Sequence, residues 1–155
     1  MTDAMPIEVR DAVADDHGFV VSAWLESYHD GSKIARRVLF RDYREAQRRI
    51  IHRLLRRSVA IVACDPEATG HLLGFALGER AGNTLVLHYV YVRQTRRRHG
   101  VARKLVAELV QRLSTRALVY THETYVGEKI IGAEIRQGLE ARWNPFLVWA
   151  EEHAA

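Results

Sequence analysis

Cysteine is nearly absent from this chain: Cys64 is the single one among 155 residues. One thiol excludes an internal disulfide and any zinc site built on several cysteines. Cys64 lies in an apolar run, which suits a small buried hydrophobe better than a nucleophile. No apolar stretch approaches the roughly 20 residues that a membrane-spanning helix needs. The first eight residues lack the basic-then-apolar order of a secretion signal, so a cytoplasmic setting is the expectation. Lysine is scarce as well: 20 of the 23 basic residues are Arg. The net charge of +4 suits an acidic ligand but is a modest excess for a nucleic-acid binder. No internal repeat or low-complexity segment occurs, and no metal is expected. A chain of this length fits one domain, residues 1–155, with a sizeable core.

What is present is an alternation of strand and helix signals. Residues 7–10 read as a strand. A helix follows over about 15–28, with Asp15 a plausible cap. His29-Asp30-Gly31-Ser32 reads as a turn, and a long helix as 39–57, its apolar face Leu39, Tyr43, Ala46, Ile50 and Leu54. Strands are expected at 59–64 and 72–79, with a loop at 65–70 between them. Gly74 and Gly78 suggest a bulge or a frayed edge in the second of these strands. A turn at Ala81-Gly82-Asn83 leads to a strand over 84–92, a helix over 101–114 and a strand over 118–122. A helix over 127–139 and a last strand over 146–150, after the Asn144-Pro145 break, complete the order.

The stretch that carries most chemistry runs from Val90-Tyr91-Val92 to Arg97-Arg98-His99-Gly100-Val101-Ala102-Arg103. It reads as a strand, a basic turn and the first turn of an amphipathic helix, with Ala102, Leu105, Val106, Leu109 and Leu113 at helical spacing. The first amides of a helix have no intrahelical acceptor, and the dipole places partial positive charge there. Gly100 and Ala102 leave that backbone uncovered, so phosphate oxygens can reach it. Arg97, Arg98 and Arg103 add full charges.

Val92 followed by Arg97, Gly100 and Ala102 resembles the acetyl-coenzyme A signature of the GNAT N-acetyltransferase superfamily. Gln94, Arg98 and Ala102 depart from its commonest form. The resemblance implies an α/β GNAT fold: a mixed central sheet with two splayed parallel strands, flanked by helices. The closing strands are expected to be incomplete, because few residues follow the last helix. It implies acetyl-coenzyme A as co-substrate, its pantetheine arm lying in the splay against Val90, Tyr91 and Val92. Its phosphates would rest on Arg97, Arg98, His99, Gly100, Val101, Ala102 and Arg103. It further implies an N-acetyltransferase that moves an acetyl group to a primary amine by direct attack on the thioester. The strings Ser22–Tyr28 and Leu87–Val92 also resemble small GNAT-like proteins carried by bacteriophages and prophages.

Catalytic candidates follow from that chemistry. Period-two alternation puts His88 on the face of Val90 and Val92, where family members often carry a Glu. His88 is then either a base, with an ordinary pKa of about 6.5, or a packed side chain. The Tyr expected near the end of the last helix is missing: Glu134 stands four residues before Gly138-Leu139. Tyr125 and His122 are the substitute acids, unless they are ordinary loop or core residues. In the family the acceptor side is built by the first two helices. Trp24, Glu26 and Tyr28 could line an amine pocket there, with Glu26 or Asp30 pairing its cation; Trp24 and Tyr28 could equally form a core stripe. Arg41, Arg44, Arg48, His52 and Arg56 form a basic stripe on the long helix, either a solvated face or a phosphate track. A nucleic-acid substrate and a non-catalytic coenzyme A-binding or interaction domain are the alternative readings. The sequence leaves monomer and homodimer both open, along with the acceptor and the acyl chain.

Overall fold

A computed structural model describes residues 6–97, 99–136 and 140–148. The chain opens with β1 (Glu8–Asp11), a 3-10 turn (Ala14–Asp16), α1 (His17–Gly31) and a second 3-10 turn (Ala35–Arg37). It continues through α2 (Phe40–Arg57), β2 (Val59–Asp65), β3 (Ala68–Ala81) and β4 (Thr84–Val92). A 3-10 turn (Gln94–Arg96) leads to α3 (Val101–Leu113), then β5 (Ala117–Tyr120), α4 (Tyr125–Arg136), β6 (Glu140–Trp143) and a 3-10 turn (Pro145–Val148). The strands form one sheet in the order β1-β2-β3-β4-β5-β6. The first four are antiparallel meanders, whereas β5 pairs β4, and β6 pairs β5, in parallel. This is the mixed α/β architecture expected of the GNAT fold.

Helices cover both faces of the sheet. On one face α3 packs Leu105 and Leu109 on Leu73, Ala76, Leu85 and Leu87, in a cluster that is entirely aliphatic. Full burial of such a side chain contributes about 1.5–3 kcal/mol. On the other face α1 and α2 bring Trp24, Ile51 and Leu54 onto Phe75, Leu77 and Tyr89. Cys64 is fully buried on this side, and burial pushes its thiol pKa up.

Several boundaries differ from expectation for identifiable reasons. Asp16, not Asp15, organises the start of α1. Its carboxylate accepts from the Val13 amide at 2.8 Å and pairs with Arg10 at 2.7 Å. Residues 65–70 are mostly hairpin, since β3 begins at Ala68. The buried stripe of α2 is Tyr43, Gln47, Ile51 and Leu54, so Leu39 and Ala46 are exposed. A polar residue in that stripe had no place in an apolar-periodicity argument. The last strand is Glu140–Trp143, and the Phe146 segment is instead a 3-10 turn up to Val148. Residues 149 and 150, the rest of the expected strand, lie outside the described residues.

Two glycines in β3 have contact reasons. A Cβ at Gly74 would stand 2.3 Å from the Tyr91 carbonyl oxygen, and one at Gly78 would stand 2.8 Å from Leu85 Cδ1. The bulge is at Gly78: Leu77 faces Tyr89 while Gly78 faces Leu87, so His88 is the extra residue of β4. A bulge reverses the side-chain phase of everything beyond it. Leu85 and Leu87 pack on the α3 side, yet Tyr89 packs on the α1–α2 side, and Val90 and Val92 return to the α3 side.

Candidate active site

The bulge and the end of the parallel pairing fall together. β4 and β5 are bonded from Thr84 and Ala117 to Leu87 and Tyr120, and the Thr121 amide donates once more to the Leu87 carbonyl at 3.1 Å. Beyond that bond the chain turns away at Thr121, while β4 runs on to Val92. The result is a fork open on the β5 side of β4. The Arg93 amide donates to the Leu73 carbonyl at 2.8 Å, so alternation directs the main chains of Tyr89 and Tyr91 to β3. Val90 and Val92 therefore turn their amide and carbonyl groups to the open edge. Of the three strand residues expected at the cofactor, Tyr91 supplies no main-chain group to the fork. Its ring packs instead on Phe75 and Phe19 at centroid distances of 5.6 and 6.1 Å.

The far end of the open edge meets α3. Gly100 sits at φ 77°, a left-handed conformation that only glycine adopts freely, and its carbonyl accepts from Lys104 at 3.0 Å. The first amides of α3 thus point out of the turn beside the end of β4. Arg97 folds back so that Nε donates to the Val92 carbonyl at 3.1 Å, which fixes its charge at the mouth of the fork. His99, Gly100 and Arg103 are exposed, Ala102 is half-buried, and Val101 is a core anchor of α3. Arg98 lies outside the described residues.

His88 is not where alternation placed it. The bulge turns its ring to the α1–α2 side, away from the face of Val90 and Val92, into a fully buried position. There a chain of polar groups crosses the base of the fork. Arg57 Nε donates to Glu79 Oε2 at 2.9 Å, and His88 Nε2 meets the same oxygen at 2.5 Å. His88 Nδ1 lies 3.0 Å from Thr121 Oγ1, and that hydroxyl lies 2.9 Å from His122 Nδ1. His122 Nε2 is 2.8 Å from Gln47 Nε2. With the Gln47 amide donating, one run of protons satisfies the chain. His122 Nδ1–H donates to Thr121, the Thr121 hydroxyl to His88 Nδ1, and His88 Nε2–H to Glu79. Burial pushes the His122 imidazole down to about 3, so it is neutral. Burial opposes charge on Glu79, but the His88 hydrogen bond and the Arg57 guanidinium outweigh it and hold the carboxyl below its usual range.

Around His122 stands a set of rings. Trp24 is fully buried and stacks on Tyr89 with centroids 4.7 Å apart and planes within 5°. Tyr28 meets His122 edge-on at 4.9 Å, and Tyr89 OH pairs with Ser27 Oγ at 2.7 Å. Burial raises the pKa values of the Tyr28 and Tyr89 phenols. Trp24 Nε1 is buried with no acceptor among the described residues. Trp24 and Tyr28 thus come together near the fork. Glu26 does not: it is exposed on an outer groove between α1 and α2. Tyr125 opens α4, 42% exposed, with Lys33 Nζ 6.0 Å from its ring centre. Glu79, Thr121, Gln47 and Tyr89 were not anticipated at the site. Only Thr121 carried a signal, as the residue next to His122 on a strand ending beside β4.

A strand edge left open beside an uncovered helix N-terminus defines a scaffold for an extended, phosphate-bearing ligand. Residues 19–129 match the acetyltransferase (GNAT) family, and the chain belongs to that family. No curated protein sequence matches it significantly. Among solved structures, a proposed acetyl transferase from Pyrococcus furiosus is similar in fold. It is 14% identical, with 88% of this chain and 95% of that one covered and a TM-score of 0.69. The PaiA N-acetyltransferase of Thermoplasma acidophilum, solved with coenzyme A, is 19% identical over 84% of this chain and 89% of that one, TM-score 0.59. A GNAT acetyltransferase of Brucella melitensis, solved with acetyl-CoA, is 15% identical over 81% of this chain and 82% of that one, TM-score 0.57. No helix among the described residues is long and apolar enough to cross a membrane, and no group of three or more His, Cys, Asp or Glu residues there is arranged to hold a metal ion.

Proposed function

We propose that this protein is an acetyl-CoA-dependent N-acetyltransferase acting on a primary amine. The observation that carries the reading is the fork: β4 continues past its last bond to β5 with the Val90 and Val92 amides turned outward, and ends at the first turn of α3. A pantetheine arm has amides that would pair with Val90 and Val92, and its pyrophosphate would accept from the α3 amides with Arg97, Arg98 and Arg103 around it. The thioester would then lie near the closed end of the fork, beside the bulge. Solved relatives of this fold hold coenzyme A and acetyl-CoA, which supports the same ligand here.

In this reading an uncharged amine attacks the thioester carbonyl, an N–C bond forms and the C–S bond breaks. The carbonyl oxygen takes a hydrogen bond from the Val90 amide as charge develops on it. The nitrogen loses a proton, and the departing thiolate gains one. His88 and His122 hold the fork rather than take that proton, because their ring nitrogens are committed within the polar chain. Tyr125, exposed at the start of α4, is the available phenol for the thiolate. Tyr28, half-buried against His122, is the ring that the acceptor would meet, with Trp24 buried behind it.

Calorimetric titration with acetyl-CoA tests this. Gly100→Asp forces a side chain onto a positive φ and sets a carboxylate beside the phosphate seat. Its affinity should drop about tenfold or more. Equal affinity for both proteins would remove the site.

A further inference from the structure

We infer that the α1–α2 face is a docking surface for an acidic, apolar segment of a partner polypeptide. Between α1 and α2 the chain exposes four large apolar side chains nearly in sequence: Ile34 at 58%, Val38 at 43%, Leu39 at 69% and Phe40 at 42%. They are not on a loose loop. Ser32 Oγ accepts from the Ile34 and Ala35 amides, Ala35 is buried, and His29 Nε2 lies 2.9 Å from the Val38 carbonyl. The patch is therefore held in place before any partner arrives, which lowers the ordering cost of binding.

Arginines frame it. Arg36, Arg37, Arg44 and Arg48 are exposed and make no ion pair among the described residues, while Arg49 pairs with Glu45. A groove of about 440 Å³ continues from the patch, with Phe40, Arg44 and Arg48 on one wall and Val21, Leu25 and Glu26 on the other. Its size suits one or two side chains. Contiguous apolar surface mixed with arginine is the composition of a protein interface. A nucleic acid would use the charge but waste the three aliphatic side chains, and Phe40 is the one exposed ring available for stacking there. Unpaired arginines around an apolar centre are complementary to carboxylates flanking apolar residues.

The surface is joined to the fork by rings. Phe40 meets His29 at 5.1 Å, His29 meets Tyr43 at 5.0 Å, Tyr43 meets Tyr28 at 6.2 Å, and Tyr28 meets His122 at 4.9 Å. The patch and the acceptor side of the fork thus share one packed run of rings, which passes through the buried Tyr43. The inference deepens the transferase reading, on which it rests, by making a polypeptide the carrier of the acceptor amine.

The test is fluorescence anisotropy of the full chain with a labelled peptide of alternating Glu and Leu ending in one Lys. An all-Glu peptide, a Lys–Leu peptide and a short DNA duplex serve as comparisons. The Glu–Leu peptide should bind tightest. Arg44→Glu with Arg48→Glu, and separately Leu39→Ser with Phe40→Ser, should each weaken it about tenfold or more at constant salt. Arg44 and Arg48 are exposed, so that variant should melt like the wild type, whereas Phe40→Ser also removes ring contacts with His29 and Tyr43 and should melt slightly lower. Tighter binding of the duplex, equal binding by the variants, or self-association that the Leu39→Ser, Phe40→Ser protein loses would each overturn the inference. Calorimetry with acetyl-CoA on the same variants separates the two readings: intact cofactor binding with no peptide binding sinks only this one.

Discussion

The two faces of the sheet are built from different materials. Under α3 the core is aliphatic throughout, from Leu73 and Leu85 to Leu105 and Leu109. Under α1 and α2 it holds four aromatic rings around Tyr89 and a chain of polar groups from Arg57 to Gln47. Both faces border β4, and the bulge at His88 decides which of its residues belong to which. The dry face has one task, which is to hold α3 and its first turn against the strand end. The wet face keeps β4 and the chain at Thr121 at a fixed separation, and a hydrogen-bonded chain does this better than apolar contacts because each bond has a direction.

That division can be broken from either side. The largest effect is expected on the dry face. Leu105→Ala should cost about 2–5 kcal/mol of stability, read from denaturant unfolding, since it empties a fully buried site. Residual protein should still bind acetyl-CoA, and a loss below about 1 kcal/mol would mean α3 is not anchored there. Next comes the wet face. His88→Leu takes one ring partner from the Thr121 hydroxyl, which keeps His122, and removes a partner of Glu79, for about 1–3 kcal/mol. Its signature should be kinetic: turnover about 10²-fold lower with near-native coenzyme A affinity, as expected when geometry rather than binding is lost. Native turnover in a variant of reduced stability would make the chain a structural brace alone.

The third effect concerns acid, and it is small only near neutrality. An unfolded chain protonates His122 below about 6.5, whereas the folded chain resists until about 3. The unfolded state therefore binds the extra proton across that window, and stability falls as pH falls through it. Glu79, held below its usual range, adds loss in the same direction further down. Melting temperatures recorded from neutrality downward should decline in the wild type and decline less in His122→Gln. Parallel curves for the two proteins would contradict the burial of a neutral ring.

The strand-to-helix passage from Val90 to Leu109 was legible because its signals are local. Alternation, a left-handed glycine and helical spacing each act within a few residues. The fork was anticipated only through family resemblance, since it depends on where β5 turns away. The phase of His88 was lost for a definite reason: one inserted residue reverses alternation, and Gly78, which marks the insertion, lies on the neighbouring strand. Gln47 was missed because its partner, His122, is 75 positions away. Apolar character points to the Phe146 stretch as the last strand, whereas hydrogen bonding to β5 selects Glu140–Trp143, where charged residues alternate with Ala141 and Trp143.

The buried position of Cys64 has a practical consequence. Acetyl transfer liberates one thiol per turnover, and disulfide reagents count thiols without distinguishing their source. The protein's only sulfhydryl is sealed on β2 with its ionisation suppressed by burial. Folded enzyme therefore adds almost nothing to the colour, whatever its concentration. Slow reagent uptake in the absence of amine would instead report unfolding, so one cuvette can read both catalysis and the integrity of the catalyst.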